Sequence, residues 1–400
     1  NVLVSGQKIE KISSAKISSP TQDVVKINGG GKTLMPGLID VHVHMVFGSL
    51  TMTQMMSPDM SEEMLMNKVG EASHKMLMRG FTSVRDAGGP IFPLKLAIDK
   101  GKVAGPRIWP SGATISQTAG HGDFRTPDER SRRFFGKASR AEELGATFIA
   151  DGRDEVLTAT RENLRFGASQ IKLMAGGGTS SAYDPIDVTQ YTFDEMKAAV
   201  DAAEDWGTYV MVHAYTPRAV QRAVEAGVKS IEHGQMLDEE TLKILAKKGV
   251  WLSLQNLMDN NDNMDEQRKE KRKPVLDGQD KVWPLAKKLG VKLAWGTDFL
   301  FEPELNDEQN SYILRLQKWF TNAEILKMIT QDNGELLQLS GLRSPYPGKL
   351  GVVEEKALAD LILVDGNPLK DLSLIANPDK NFLVIIKDGQ IYKNTIKTKK

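Results

Sequence analysis

The sequence has 400 residues, with 52 lysines and arginines balanced by 52 aspartates and glutamates, and it contains six histidines and no cysteine. The lack of cysteine excludes disulfides, thiolate metal sites and a thiol nucleophile, so a transition metal would have to bind histidine or carboxylate. A net charge of zero predicts neither nucleic acid nor an anionic membrane as a partner, and no apolar run reaches the roughly 18 residues that span a bilayer.

The start of the chain leaves the compartment open. The first residue is Asn1, and Val2 to Val4 already have the character of a strand, so we expect a truncated or processed N-terminus. We expect a soluble protein. The absence of cysteine is compatible with a cytoplasmic location and with a periplasmic or secreted one.

Residues 34–345 contain a repeated junction in which a helical stretch ends at glycine and a β-branched apolar run follows. Glycine favours the left-handed backbone just past a helix end, which lets the chain turn directly into the next strand. The six junction glycines are Gly80, Gly167, Gly207, Gly227, Gly249 and Gly290. Two further runs, Leu34 to His42 and Pro106 to Pro110, bring the predicted strands to eight. Eight alternating units favour a (β/α)8 TIM-type barrel of parallel strands.

The two ends of the chain differ from this central region. Residues 1–33 and 346–400 contain short strand-like runs, and Asp388-Gly389 between two such runs predicts a hairpin. Neither end has enough apolar residues for its own core. We therefore predict that residues 1–33 and 346–400 pair as one small β-sandwich domain beside a barrel of residues 34–345.

Five polar residues lie at the ends of predicted barrel strands. His42 and His44 are two residues apart at the end of the first strand, so both imidazoles point to the same side, as is typical of a strand that chelates a metal ion. His213, His233 and Asp298 end the fifth, sixth and eighth strands. Each could be an ordinary rim residue, but barrel active sites are built at this end of the strands. Their convergence predicts a metal site.

Lys172 lies inside the predicted fourth strand, where a lysine is a poor core residue unless it is paired or functional. A desolvated lysine is nucleophilic, so it could form a Schiff base or react with carbon dioxide to give a carbamate, whose two oxygens can bridge two cations. The alternative is a lysine whose ammonium reaches the rim of the barrel.

Taken together, these motifs resemble those of the amidohydrolase superfamily. The resemblance rests on Met35 to His44, Lys172, His213, His233, Gly296 to Asp298 and Ala359 to Leu369. It covers nearly the whole chain and implies a (β/α)8 barrel beside a small β domain assembled from both chain ends.

Within that superfamily the chain is similar to the imidazolonepropionase-related branch, including its Xaa-Pro dipeptidase-like, carboxypeptidase-like and ochratoxin-degrading members. The residues that carry this similarity are Thr82 to Gly89, Gly120 to Asp123, Ile171 to Gly178 and His213 to Pro217. The similarity implies hydrolysis of the amide bond to a C-terminal amino acid in dipeptides or N-acyl amino acids.

The resemblance also implies a role for each site residue. His42, His44 and Asp298 would bind one divalent ion, and His213 and His233 a second, with Lys172 bridging them as a carbamate formed from carbon dioxide. Zinc fits a donor set of nitrogen and oxygen. A hydroxide between the ions would attack the amide, and Asp298 would carry the proton to the leaving amine. His121 would bind the developing oxyanion, and Tyr215 the substrate.

Four other expectations and alternatives follow from the sequence and the resemblance. The same centre could open a cyclic amide of the imidazolone or hydantoin type, and outside enzymes the alternative is an inert oligomeric scaffold. Similar proteins assemble into symmetric oligomers, so by analogy we expect this chain to form a homo-oligomer, with an octamer as one form that the family analogy allows. Methionines after the first strand predict an adaptable apolar substrate pocket, and these are Met45, Met52, Met55, Met56 and Met60.

Overall fold

A computed structural model describes residues 1–18, 24–57, 59–257 and 264–396. Within these residues the strands are β1 Val2–Ser5, β2 Lys8–Ile12, β3 Thr33–Pro36, β4 Leu38–Val43, β5 Phe81–Asp86, β6 Arg107–Pro110, β7 Thr114–Ser116, β8 Thr147–Ile149, β9 Ile171–Met174, β10 Val210–Ala214, β11 Ser230–His233, β12 Trp251–Leu254, β13 Lys292–Trp295, β14 Leu361–Val364, β15 Phe382–Lys387 and β16 Gln390–Asn394.

The α-helices are α1 Met52–Met56, α2 Glu62–Met78, α3 Phe92–Asp99, α4 Arg132–Phe135, α5 Arg140–Glu143, α6 Arg153–Arg165, α7 Phe193–Asp205, α8 Pro217–Ala226, α9 Glu239–Lys248, α10 Glu266–Lys288, α11 Gln309–Leu314, α12 Asn322–Lys327, α13 Asn333–Leu337, α14 Ser373–Ala376 and α15 Pro378–Asn381. Shorter 3-10 turns occupy Phe47–Ser49, Pro303–Glu308, Arg315–Lys318 and Gln338–Arg343, and a π-turn occupies Met328–Asp332. Among the helices described, none is both long and apolar enough to cross a membrane.

Parallel pairing builds the predicted TIM-type barrel. One run of strands is β4-β5-β6, and the other is β13-β12-β11-β10-β9-β7-β8. The third barrel strand is divided, because β6 pairs with β5 while β7, which begins four residues after β6 ends, pairs with β9. Asn333 connects the first and last strands by donating to the carbonyl oxygens of Ile39 at 2.6 Å and Trp295 at 2.8 Å.

The junction glycines behave as predicted. All six have positive φ, between 64° and 110°, and each is followed within four residues by a barrel strand. The sequence did not predict β8, a three-residue strand that pairs with the outer side of β7. Its short run of Thr147, Phe148 and Ile149 follows Gly145, which has φ of 70° and comes after α5, so the same type of junction precedes β8 as well.

The predicted first strand, Leu34 to His42, is wrong as a single element. Thr33–Pro36 pairs antiparallel with β14, and only Leu38–Val43 belongs to the barrel. Gly37 separates the two strands at a point where an added Cβ would lie 2.1 Å from Oγ1 of Thr82. We therefore propose that the boundary of the small domain follows Pro36 instead of residue 33.

The remaining strands come from both ends of the chain. A four-stranded antiparallel sheet has the order β16-β15-β14-β3, and β1 pairs with β2 as a hairpin. The predicted turn at Asp388-Gly389 joins β15 to β16 with φ of 56° and 70° at its two residues, which confirms the hairpin.

A buried ion pair connects the barrel to these terminal strands. Arg107, on β6, donates to both carboxylate oxygens of Asp360, with Nε to Oδ2 at 3.0 Å and Nη2 to Oδ1 at 3.3 Å. Its Nη2 also contacts Asp388 in the β15–β16 turn, and both Arg107 and Asp360 are buried. A buried charge that loses its partner is strongly destabilising.

Replacing Arg107 with Met should therefore lower the free energy of unfolding by about 3 kcal/mol, because Asp360 is left as a buried carboxylate without its main partner. Urea unfolding of Arg107→Met measures this loss. The control is Arg165→Met, since Arg165 pairs with Glu162 at 2.7 Å on an exposed helix surface and should change stability by no more than about 0.5 kcal/mol. Equal effects of the two variants would contradict the role of Arg107.

Candidate metal centre

Six of the residues predicted from the sequence meet at the C-terminal ends of the barrel strands. His42 lies on β4 and His44 follows it, Lys172 is on β9, His213 on β10 and His233 on β11, and Asp298 comes three residues after β13. The histidines and the lysine are buried, and 18% of the Asp298 side chain is exposed. A cluster of buried imidazoles with one carboxylate that solvent can reach is suited to bind a cation.

Asp298 lies between the two histidines of the first strand. Its Oδ1 is 3.3 Å from Nε2 of His42 and 3.2 Å from Nε2 of His44. Among the residues that the structure describes, the ligand atoms of these three all lie within 4.8 Å of one another. Two imidazole nitrogens and a carboxylate oxygen match the donors that zinc and similar divalent ions prefer, so the residues fit a metal ion.

Hydrogen bonds at Nδ1 determine which nitrogen of each imidazole can bind a metal. Nδ1 of His42 is 2.8 Å from Oε2 of Glu232, and Nδ1 of His44 is 2.9 Å from the carbonyl oxygen of Gly88. Because both of these oxygens accept, Nδ1 carries the proton in each ring and Nε2 keeps its lone pair. The two Nε2 atoms are the ones that face Asp298.

Lys172 is held in the middle of these groups. It is 1% exposed, and its Nζ lies 3.3 Å from Nε2 of His42. Burial lowers the pKa of the Lys172 ammonium to about 8, while Glu232 and Asp298 act in the opposite direction. A larger fraction of this amine is therefore uncharged near neutral pH than in an exposed lysine.

The other two strand-end histidines form a cluster of rings with Tyr215 and His121. The ring centroid of His213 is 4.4 Å from that of His233, 4.9 Å from that of Tyr215 and 4.0 Å from that of His121. Nε2 of His213 donates to the carbonyl oxygen of Gly177 at 3.0 Å, which leaves the lone pair on Nδ1. Burial holds the pKa of both His213 and His233 well below the usual range, so both rings are neutral, the state that binds metals.

Backbone strain occurs at two of these positions. His233 has φ of 79° and Asp298 has φ of 58°, values that bulky residues rarely adopt. Backbone hydrogen bonds hold both conformations, because His233 N–H donates to Oε1 of Gln255 at 2.8 Å and Asp298 N–H donates to the carbonyl oxygen of His42 at 2.8 Å. Strain of this kind is typical of functional sites.

Glu232 and Arg85 orient the centre, and neither residue was predicted from the sequence. Arg85 is fully buried; its Nη2 donates to Oε1 and Oε2 of Glu232 at 2.7 and 2.8 Å, and its Nε donates to the carbonyl oxygen of Val41 at 2.6 Å. Burial alone would raise the pKa of Glu232, but Arg85 and His42 hold it well below its usual range. The sequence does contain a signal for this pair, because Arg85 and Glu232 carry opposite charges and each lies inside a mostly apolar strand run.

Of the five methionines predicted to line a pocket, four pack in or against the hydrophobic core, and Met52 is exposed. Met45 and Met55 are buried in the main hydrophobic core of the barrel, at 3% and 5% exposure. Met56 and Met60 are partly buried against the same core.

Comparisons with known proteins agree with the fold and show the family. Residues 33–392 match the Amidohydrolase family. An ochratoxinase of Aspergillus niger is 31% identical over 375 residues, which cover 90% of this chain and 75% of the ochratoxinase.

Solved structures extend this similarity. A prolidase in complex with N-methylphosphonate-L-proline has a TM-score of 0.88 and 33% identity, over 98% of this chain and 94% of the prolidase. A Xaa-Pro dipeptidase with methionine bound in its active site has a TM-score of 0.80 and 30% identity, over 98% of this chain and 94% of that one. The ochratoxinase structure has a TM-score of 0.82 at 26% identity, with coverage of 98% and 91%.

Replacing Glu232 with Gln should weaken metal binding by about 10- to 100-fold, because His42 loses the carboxylate that fixes its tautomer and raises its basicity. Competition between the protein and a chromophoric chelator for zinc measures this change. Glu225→Gln, an exposed substitution on α8, is the matched control and should bind zinc as the unmodified protein does. Unchanged affinity in Glu232→Gln would show that Glu232 does not orient His42.

Proposed function

The chain belongs to the amidohydrolase family, and we propose that it cleaves the amide bond to a C-terminal amino acid in dipeptides or N-acyl amino acids. The observation that carries this proposal is the carboxylate of Asp298, whose Oδ1 lies within 3.3 Å of Nε2 in both His42 and His44 at the open end of a buried polar cluster. The substrate class rests on the similarity to the prolidase, the Xaa-Pro dipeptidase and the ochratoxinase.

We assign two divalent ions, preferably zinc, to this centre. His42, His44 and Asp298 would bind one, His213 and His233 the other, and Lys172, carboxylated by carbon dioxide, would lie between them. The support for Lys172 is its place on β9, with Nζ 3.3 Å from His42 and beside the strand that carries His213. When bound, the ions would lower the pKa of a water molecule and polarise the amide carbonyl.

Asp298 has the geometry of a group that moves a proton. Oδ1 faces the imidazoles of His42 and His44, while Oδ2 lies 3.8 Å from Nδ1 of His233. In the proposed reaction Oδ2 accepts the proton of the attacking water and passes it to the leaving nitrogen. A positioned carboxylate of this type contributes roughly 10²- to 10⁴-fold to the rate.

His121 and Tyr215 would hold the substrate. Nδ1 of His121 is hydrogen-bonded to Oγ of Ser181 at 2.8 Å, so Nε2 is the nitrogen that we assign to the carbonyl oxygen. Burial raises the pKa of Tyr215, so its phenol stays protonated and can donate a hydrogen bond. Both rings lie against His213, beside the proposed second ion.

Lys172→Ala should lose bound metal and activity together, because the carbamate would supply an oxygen to each ion. Metal analysis after dialysis should give about two zinc ions per chain for the unmodified protein and at most one for Lys172→Ala. Lys229→Ala, an exposed lysine just before β11, should keep both ions. A Lys172→Ala protein with two ions and full activity would contradict the bridging role, and a single ion in the unmodified protein would favour a mononuclear centre.

A screen of dipeptides and N-acyl amino acids tests the reaction itself. The zinc-loaded protein should release the C-terminal amino acid, and Asp298→Asn should reduce kcat by about 10²- to 10⁴-fold, since an amide cannot accept the proton. Asp307→Asn, at an exposed carboxylate that lies 3.7 Å from Arg79, is the control. Cleavage of hydantoin-type rings alone would show a cyclic-amide hydrolase instead, and no cleavage of any amide would favour the inert scaffold.

A further inference from the structure

Three phenylalanines repeat one spacing relative to the candidate site. Phe47 comes three residues after His44, Phe124 three residues after His121, and Phe301 three residues after Asp298. The three lie after different barrel strands, the first, third and eighth, yet their rings come together. The centroids of Phe47 and Phe301 are 5.4 Å apart, and Phe124 lies 6.1 Å from each of them. We call these three residues the aromatic wall.

The aromatic wall touches the proposed first metal site. Phe47 stacks on the imidazole of His44, with a centroid distance of 5.7 Å and an interplanar angle of 22°. Phe47 itself is 1% exposed, whereas Phe124 and Phe301 are only partly buried. The buried Phe47 ring therefore supports His44 from one side, and the two half-buried rings of Phe124 and Phe301 offer apolar surface beside Phe47.

The position of Phe301 is fixed by the backbone. Its φ of 57° is rare for a bulky residue, and its N–H donates to the carbonyl oxygen of Phe47 at 2.9 Å. Asn306 adds a second link between the two loops by donating to the carbonyl oxygen of Gly48 at 2.7 Å. A strained aromatic residue that is held by two loops is better explained by a functional role than by packing alone.

Phe124 lies between two residues, Asp123 and Arg125, that form an ion pair and so hold its backbone. Arg125 Nε donates to Oδ1 of Asp123 at 2.7 Å, and Oδ2 of Asp123 accepts the N–H of Ala119 at 2.8 Å. The Phe124 ring is close to perpendicular to the rings of Phe47 and Phe301, at 72° and 85°. Rings in this edge-to-face arrangement are favourable partners for one another and for a further ring.

The partly exposed surface around His121 and Ser181 is more polar. His121 bonds to Ser181, and the carbonyl oxygen of Ser181 accepts a hydrogen bond from Lys271 at 2.7 Å. An apolar ring of a substrate would therefore bind at a lower desolvation cost against Phe124 and Phe301 than against this surface, whose polar groups would lose water without gaining a hydrogen-bond partner.

We propose that the aromatic wall is the specificity subsite of this protein and that it binds an aromatic ring of the amide substrate beside His44. This inference rests on the proposed amide hydrolysis and adds the substrate feature that it selects. Phe124 and Phe301 contact the ring, whereas Phe47 is a positioning residue that acts through them and through His44.

Binding of matched carboxylates to the zinc-loaded protein tests the subsite without requiring turnover. The probes are propanoate, 4-methylpentanoate and 3-phenylpropanoate, and calorimetry gives the dissociation constant of each. We expect 3-phenylpropanoate to bind at least about tenfold more tightly than propanoate and more tightly than 4-methylpentanoate. In Phe124→Ala and in Phe301→Ala the ratio of phenylpropanoate to propanoate affinity should fall to about threefold or less.

The control is Phe166→Ala, which removes a ring that stacks on Phe92 at 5.6 Å just after α6, away from the candidate site. It should keep the full ratio, and thermal melting of each variant identifies any that fails to fold. Weak discrimination in the unmodified protein, a ratio retained in both wall variants, or equal binding of 4-methylpentanoate and 3-phenylpropanoate would each overturn the proposal. Hydrolysis of dipeptides without any preference for an aromatic side chain would overturn the subsite and leave the proposed function intact.

Discussion

The carboxylate of Glu232, shared between Arg85 and His42, is the interaction on which the rest of the centre depends. It lies at the bottom of the cluster with no exposed surface, and the Arg85 guanidinium keeps it ionised in spite of that burial. An ionised Glu232 fixes the proton of His42 on Nδ1, and this points the lone pair of Nε2 towards Asp298 and Lys172. A buried charge pair is costly to assemble, and here it sets the orientation of His42, the first of the proposed metal ligands.

The barrel explains how donors that are distant in sequence reach one point. Parallel strands bring their C-terminal ends to one face, so His42, His213 and His233 need only occupy late positions on their own strands. Lys172 lies earlier on its strand, in register with Met211, and its Nζ reaches to 3.3 Å from Nε2 of His42. Asp298 and His233 complete the arrangement through backbone conformations that regular strands do not provide. The loops beyond these strand ends then supply His121 and the aromatic wall.

Much of the fold could be predicted from the sequence, because a glycine that recurs between a helical run and an apolar run indicates a left-handed helix end followed by a strand. Eight alternating units predict the barrel. The division of Leu34 to His42 into two strands could not be predicted, since it depends on pairing between Thr33–Pro36 and β14, more than 300 residues away. The strand ends pointed to His42, His44, His213, His233 and Asp298. The ion pair between Arg85 and Glu232 could not be predicted, because it depends on contacts across the barrel. The shared spacing of Phe47, Phe124 and Phe301 in the sequence did not indicate that their rings contact one another, because the three residues follow different strands.

The central claim is that these residues hold two metal ions with a carboxylated Lys172 between them. A crystal structure of the zinc-loaded protein, with anomalous scattering recorded at the zinc edge, tests it most directly. Two anomalous peaks are expected, one beside His42, His44 and Asp298 and one beside His213 and His233, with density for a carbamate on Nζ of Lys172. A single peak with an unmodified Lys172, or peaks away from these side chains, would contradict it.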